Sequence, residues 1–377
     1  MTLGEEILEQ SLEGKKMNKE KNNLLTSIEF TYILVGTIVG VSVFNMPNAV
    51  VEVSKQDSWI STIIGAVYPL YLVFIGSYIC KKKPNDSILV ISQQHFGKFL
   101  GNILNLLFMM HFVYFVASIT SNLVNVLQVY AVSFITPEKL AFFIVLISAY
   151  TASKGLKVLG KINVYFFYLT IILVLSSVNA LKDGSILNIQ PVFGSGAGNI
   201  LKSVKQTINA YAGMEFLFLI YPYAKDKKMV IPSAVKSVLW VMLIYVWVMF
   251  ITIYYMGVDI VPKTFWSFVS VSESIQIPII NNFRFIFMAL WTIVAFKTIA
   301  NDYFAVSYIL NDITGLNIKK ICIYIYPFMI YLVLRFPNEV VRRKVAGTVI
   351  PWITIFDITY VTIIALLMMI KSIKDDS

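Results

Sequence analysis

Val35-Gly36-Thr37-Ile38-Val39-Gly40-Val41, with Met46-Pro47 behind it, and Asn209-Ala210-Tyr211-Ala212-Gly213-Met214-Glu215, with Pro222 behind it, are the stretches on which the fold turns. Each lies inside an apolar run of about 20 residues, enough to cross a hydrocarbon core roughly 30 Å thick. Each interrupts that run with small residues, and the second also places a carboxylate in it. Gly36 and Gly40 alone read as a GxxxG helix-packing face. A matching interruption five spans later tips the reading toward two broken helices.

Dividing the rest of the chain at charged, Pro and Gly punctuation gives ten apolar segments: 28–50, 58–80, 100–133, 139–153, 158–181, 199–223, 231–257, 283–310, 319–335 and 342–371. Residues 84–98 and 264–280 read as interfacial or re-entrant. Interrupted helices at corresponding positions of two halves mark an inverted repeat. The expectation is an all-α polytopic membrane protein of about ten transmembrane helices, a 5+5 inverted repeat with broken helices 1 and 6. The transmembrane domain spans 24–372, with repeat one at about 28–181 and repeat two at about 199–371. A transmembrane β-barrel would alternate over segments of about 10 residues, and no stretch here does so for long.

Composition agrees. Of 377 residues, 58% are hydrophobic and 14% charged, with a mean hydropathy of +0.74. Soluble domains carry roughly 25% charged residues, so an ordinary soluble enzyme is excluded. The net charge of +10 sits in short loops between spans, which points to topology and not to nucleic acid. With the N-terminus inside, roughly 19 Lys and Arg fall on the cytoplasmic side and about 8 on the other. Both termini are therefore expected in the cytoplasm. Arg335, Arg342, Arg343 and Lys344 dissent, and a missed or extra span late in the chain is the expected explanation. Residues 1–23 read as a disordered cytoplasmic tail without a cleaved signal peptide, and Met17 is an alternative start. Cys80 and Cys322 are far apart with no CxxC spacing, and only two histidines are present, so no metal site, disulfide framework or cofactor is expected. No GxSxG, GxxxxGK[ST] or HExxH motif occurs, and an enzyme is not expected.

Ionisable residues within spans are functional candidates, because charge in a bilayer core is costly. Glu215 is the foremost. An unwound turn beside it would offer free backbone groups to a zwitterion, with the carboxylate facing the ammonium. Burial disfavours the charged form of a carboxyl group, so Glu215 alternatively serves as a proton site or a structural hydrogen-bond donor. Lys297 and Asp302 lie five residues apart in the eighth span, about 140° around a helix, so each must find its own partner. Lys297 is either a fixed cation where sodium-coupled architectures hold their ion or the partner of an acid such as Asp357. Asp357 reads equally as a paired residue and as a proton carrier. His111, Tyr114, Ser118, Asn122 and Asn125 share one helix face, which lines a watery cavity or hydrogen-bonds to neighbouring helices. A lone His111 is more often a satisfied core residue than a proton relay.

The run 35–47, the Gln56-Asp57-Ser58-Trp59-Ile60-Ser61 that follows it, and Tyr211-Ala212-Gly213-Met214-Glu215-Phe216 with Tyr221-Pro222 resemble the GerAB-type spore germination permeases, over residues 24–371. That family is similar to the amino acid–polyamine–organocation transporter superfamily. The resemblance implies a LeuT-like fold and a B subunit of a nutrient germinant receptor in the spore inner membrane. Such a subunit assembles with an A-type membrane subunit and a C-type lipoprotein subunit and senses a small germinant, an amino acid above all. It also implies a ligand site between the two breaks, with Gly36, Thr37 and Gly40 on one wall and Tyr211, Gly213 and Glu215 on the other. Lys297, Asp302, His111 and Asp357 are the candidates for proton or ion coupling. A proton-coupled amino acid symporter and a ligand-blind channel or scaffold subunit are the competing readings.

Overall fold

The computed structural model describes residues 24–274 and 283–376, with side chains as far as Ser372. The tail at 1–23, Met17 included, and the last part of the 264–280 segment lie outside the described residues. Fourteen α-helices are used here. They are α1 (Ser27–Ile38), α2 (Ser42–Ser54), α3 (Ser58–Gly65), α4 (Val67–Lys82), α5 (Ile88–Tyr130), α6 (Pro137–Ala152) and α7 (Leu156–Ser176). They continue with α8 (Ala197–Tyr211), α9 (Leu217–Ile220), α10 (Val230–Met256), α11 (Ser267–Val271), α12 (Phe283–Thr314), α13 (Ile318–Val333) and α14 (Glu339–Asp376). The protein is an all-α multi-pass membrane protein. Among the described residues the only extended pairing is one backbone bridge between Leu25 and Ala224.

Ten spans result. α1 and α2 are the halves of the first, α3 and α4 form the second, and α5, α6 and α7 follow. α8 and α9 are the halves of the sixth, and α10, α12, α13 and α14 complete the set. Six helical stretches are long and apolar enough to cross a membrane on length and composition alone. The others are broken or short, as α6 and α13 are at 16 residues each.

Local sequence explains the boundaries. Thr26 and Glu29 close a capping box at the start of α1: Thr26 N donates to Glu29 Oε2 at 2.8 Å, and Glu29 N donates to Thr26 Oγ1 at 3.4 Å. Lys157 Nζ, 2.6 Å from Glu29 Oε2, joins this cap to α7. Gly97 leaves the helical region once inside α5 (φ 77, ψ 162), which turns the preceding arm from the span proper. The stretch 84–98 is thus that arm, and residues 267–274 form α11 and a 3-10 turn.

Two connections fix the relation of the broken helices. Leu25 N donates to Tyr223 O at 2.8 Å and Lys225 N donates to Leu25 O at 2.9 Å, so the start of the first span sits at the exit of the sixth. At the other end α2 packs along α8. The two spans therefore run antiparallel, as an inverted repeat requires. Asp57 locks the second connection: its buried carboxylate accepts Phe193 N at 2.7 Å, Ser195 N at 2.8 Å and Ser195 Oγ at 2.6 Å, while Gln56 Nε2 donates to Pro191 O at 2.9 Å. The Gln-Asp pair after the first span thus holds the loop that leads into α8.

The expected late error in span count is corrected. α12, α13 and α14 are three separate helices with short connections and no further span among them. Of the dissenting cations, Arg342 is buried and Arg343 partly exposed, and both are bonded to Glu339. The breaks also lie upstream of the prolines: Pro47 is inside α2 and Pro222 is in a 3-10 turn after α9.

Candidate ligand site at the helix breaks

α1 ends where Val39 turns extended (φ −82, ψ 100), and α8 ends where Ala212 does so (φ −61, ψ 146). The two unwound turns touch. Gly213 holds φ 120, and a Cβ there would press on the Thr37 carbonyl, so glycine serves both the dihedral and the approach. Glu215 fastens its own turn: Oε2 accepts Gly213 N at 2.7 Å, and Oε1 accepts the Tyr68 hydroxyl.

The carbonyls freed by the breaks are met by side chains, as buried backbone groups must be. Tyr245 OH, fully buried, lies 3.0 Å from Ile38 O and 2.7 Å from Ala210 O and so joins the ends of α1 and α8. Lys297 Nζ donates to Val39 O at 2.8 Å, and Thr298 Oγ1 donates to Gly36 O at 2.8 Å. An ammonium at a helix C-terminus is electrostatically favoured. Lys297 does not pair with Asp357, which corrects that expectation: Asp357 Oδ2 lies 2.6 Å from His111 Nδ1.

Four elements supply one buried polar cluster: Tyr68 from α4, His111 from α5, Glu215 after α8 and Asp357 from α14. His111 Nε2 is 3.7 Å from Glu215 Oε2, beyond hydrogen-bond length, and it and Asp357 Oδ1 have no hydrogen-bond partner. Among the described residues, His111, Glu215 and Asp357 form a group of potential metal-ligand atoms within 4.8 Å of one another. His111 Nδ1 and both Glu215 oxygens are already engaged, which suits a shared proton better than a resident ion.

Beside the cluster, and sharing His111 with it, lies a cavity of about 30 Å³. Thr37 and Gly213 bring the two breaks into its wall, and Ser42, Asn45, His111, Ser118, Asn122, Asn209, Asp302 and Arg342 make it predominantly polar. Its volume suits water and not an amino acid. A larger cavity of about 420 Å³ adjoins it, and Ser42, Asn45, Asn209 and Arg342 line both. Arg342 Nε and Nη2 donate to Glu339 at 2.7 and 2.6 Å, and Asn45 Nδ2 reaches the same carboxylate at 3.3 Å.

Residues 24–341 match the family model described as spore germination protein. The chain belongs to that family. Spore germination protein GerQB of Bacillus cereus is 21% identical over 302 residues, covering 80% of this chain and 82% of that protein. Spore germination protein YndE of Bacillus subtilis (strain 168) is 22% identical over 287 residues, covering 75% and 79%. Among solved structures, MhsT in complex with L-phenylalanine superposes with a TM-score of 0.63 at 14% identity, over 90% of this chain and 87% of that one. A Na+-coupled sialic acid symporter in a substrate-bound outward-open state gives a TM-score of 0.62 at 13% identity, over 91% and 78%. At such identity these two show the fold alone, which is that of the inverted-repeat transporters.

In this spore germination protein, Thr37, Gly213, His111 and Asp302 of the expected site residues line the inner cavity. Gly36, Gly40, Tyr211, Glu215, Lys297 and Asp357 line neither cavity. Gly36 packs on Asn163 and Lys297, Gly40 packs on Thr298, and Tyr211 OH donates to Thr62 O at 2.9 Å. These positions support the breaks from behind because the neighbouring helices approach there. Of the His111 stripe, Ser118 and Asn122 face the cavity, and Asn122 Oδ1 also accepts Trp266 Nε1 at 2.8 Å. Sequence reasoning missed Arg342, Asn45, Asn209, Tyr68 and Tyr245. Arg342 did leave a signal, the charge that violated the topology; the others left none that composition or spacing reveals.

Proposed function

We propose that this protein is the ligand-binding, permease-like subunit of a spore germinant receptor, and that its germinant is a small amino acid held between the two broken helices. The observation that carries this reading is the polar cavity at the point where Thr37 and Gly213 meet. Family membership supports the germination role, and the fold it shares with MhsT, solved with L-phenylalanine, supports a small zwitterion as ligand. The receptor assembles with an A-type membrane subunit and a C-type lipoprotein in the spore inner membrane, with both termini in the cytoplasm.

In the present conformation the cavity is water-sized, so ligand binding requires α2 and α8 to part. A ligand that prefers the parted or re-closed arrangement shifts the complex toward it by exactly its difference in affinity, and partner subunits read that shift. Thermal stabilisation of the purified full-length protein across an amino acid panel tests the reading, because a ligand bound only to the folded state raises its stability. Saturable stabilisation by one or a few amino acids is expected, lost in Asn209→Leu, whose side chain fills the shared wall. No stabilisation by any amino acid would refute it.

A second reading has one observation in its favour. The cluster of His111, Glu215 and Asp357 is built to hold a proton behind the cavity, as a proton-coupled amino acid symporter needs. Uptake of labelled amino acid by the protein alone in liposomes, driven by a pH gradient, would establish it.

A further inference from the structure

Charge is distributed unevenly along the inner cavity. At the end shared with the outer cavity, Arg342 and Arg343 both bind the single carboxylate of Glu339, at 2.6 Å each. Two guanidinium groups on one carboxylate leave one positive charge in excess. Arg342 is buried at 5% exposure, and its remaining Nη1 lies 3.3 Å from Ser118 Oγ on the cavity wall. Asp302, 2% exposed, lines the same cavity. Glu215 and Asp357 flank the single imidazole of His111, which lines the same cavity, so three carboxyl groups with one base stand there.

We infer that Arg342 is the residue that recognises the carboxylate of the ligand, and that the site therefore selects free α-amino acids over their amides and over simple amines. This rests on the receptor reading above. A zwitterion held in the parted site sets its carboxylate on Arg342 and its ammonium on the carboxyl oxygens of Asp302, and both residues line the cavity. An amide or amine leaves the guanidinium pole uncompensated. Nε and one Nη2 proton of Arg342 are held by Glu339, so Nη1, which lies only 3.3 Å from Ser118 Oγ, and the second Nη2 proton are the paired donors left for a ligand carboxylate, and a charge-assisted pair of that kind is among the stronger hydrogen-bonded contacts. Arg342 also sits on the wall common to both cavities, with Ser42, Asn45 and Asn209.

The test is the acid-to-amide ratio in binding. Each L-amino acid that stabilises the full-length protein is titrated beside its α-amide, in wild type, Arg342→Gln and Arg342→Lys. Wild type is expected to bind the acid at least tenfold more tightly than the amide. That ratio should fall toward one in Arg342→Gln and lie between in Arg342→Lys, which keeps the charge and loses the fork. Glu339 keeps Arg343 and Asn45 in these variants, so the local structure retains two of its three anchors. An unchanged ratio in Arg342→Gln overturns the inference and leaves the receptor reading standing. Equal binding of acid and amide by wild type overturns it without any variant. Wild type that responds to neither acid nor amide removes the receptor reading, and the inference falls with it.

Discussion

Replacing Glu215 in two ways separates its structural work from its charge. Its carboxylate accepts Gly213 N at 2.7 Å and the Tyr68 hydroxyl, and both the residue and its donors are buried. In Glu215→Ala both donors lose their acceptor in a site closed to water. An unsatisfied buried donor costs about 1–3 kcal/mol, so two of them, with the lost side-chain packing, amount to roughly 3–5 kcal/mol. In Glu215→Gln the amide oxygen still accepts from Gly213 N, and the amide NH2 faces Tyr68, whose hydroxyl can rotate to accept. What is lost is charge assistance, about 1 kcal/mol. Thermal unfolding in detergent, followed by tryptophan fluorescence, should therefore show a fall of several degrees for the alanine variant and a much smaller one for glutamine. Equal losses in the two variants, or a silent alanine variant, would refute the view that this carboxylate staples the broken turn.

Lys297→Ala should make stability respond to sodium, because it empties the space beside Val39 O and Gly36 O while keeping Thr298 on the same carbonyls. Sodium at about 100 times its Kd would add about 2.7 kcal/mol to the variant and nothing to the wild type; a melting temperature independent of sodium in both would sink the tethered-cation assignment. Asp57→Ala removes three charge-assisted hydrogen bonds from the loop at 193–195, with an expected cost of about 2–4 kcal/mol after discounting for the exposed Phe193. Limited proteolysis should cut that loop faster in the variant, and an unchanged cleavage rate would mean that the Gln-Asp pair does not hold it.

Span count, antiparallel repeats and the two breaks were legible because each has a one-dimensional signature: apolar length, charge punctuation and small residues in mid-run. The candidate site, taken as the residues that line the inner cavity, was half legible for a related reason. Thr37 and Gly213 are the points of closest approach, and helix-breaking sequence marks such points. His111 and Asp302 were legible because ionisable groups stand out among apolar neighbours. Gly36 and Gly40 were ambiguous, since a glycine that admits a ligand and one that admits Asn163 or Thr298 look alike in sequence, and the structure packs those side chains on them. Tyr245 was invisible. A tyrosine in an apolar run is ordinary, and only the folded chain shows that its hydroxyl reaches the last carbonyls of two broken helices.

The distribution of anchors decides which half of the first span moves. The end of α1 is held to α12 by Lys297 and Thr298, to Tyr245 of α10, and through Thr37 to Asn301, whose Nδ2 is 3.3 Å from Thr37 Oγ1. Among the described residues α2 makes no hydrogen bond to α12 and meets it through the ring of Phe44 on Phe287 and Trp291, apolar contacts that can slide. Its polar contacts run outward: Asn45 to Glu339 at the start of α14, and Asn48 to Val261 O at 2.6 Å and Thr264 O at 2.7 Å in the connection before α11. The larger cavity opens between α2, α8 and α14, where those contacts end. Ligand binding should therefore displace α2 together with the start of α14 and the 261–267 segment, with α1 fixed on α12. Spin labels at Glu52 of α2 and Ile293 of α12 should change separation by more than about 2 Å when a stabilising amino acid is added. A pair at Ile28 of α1 and Ile293 should hold still. Buried Cys80 and Cys322 need not be replaced. Movement of the α1 pair with a static α2 pair would reverse the assignment, and would mean that Lys297 and Thr298 release the carbonyls of α1 instead of anchoring them.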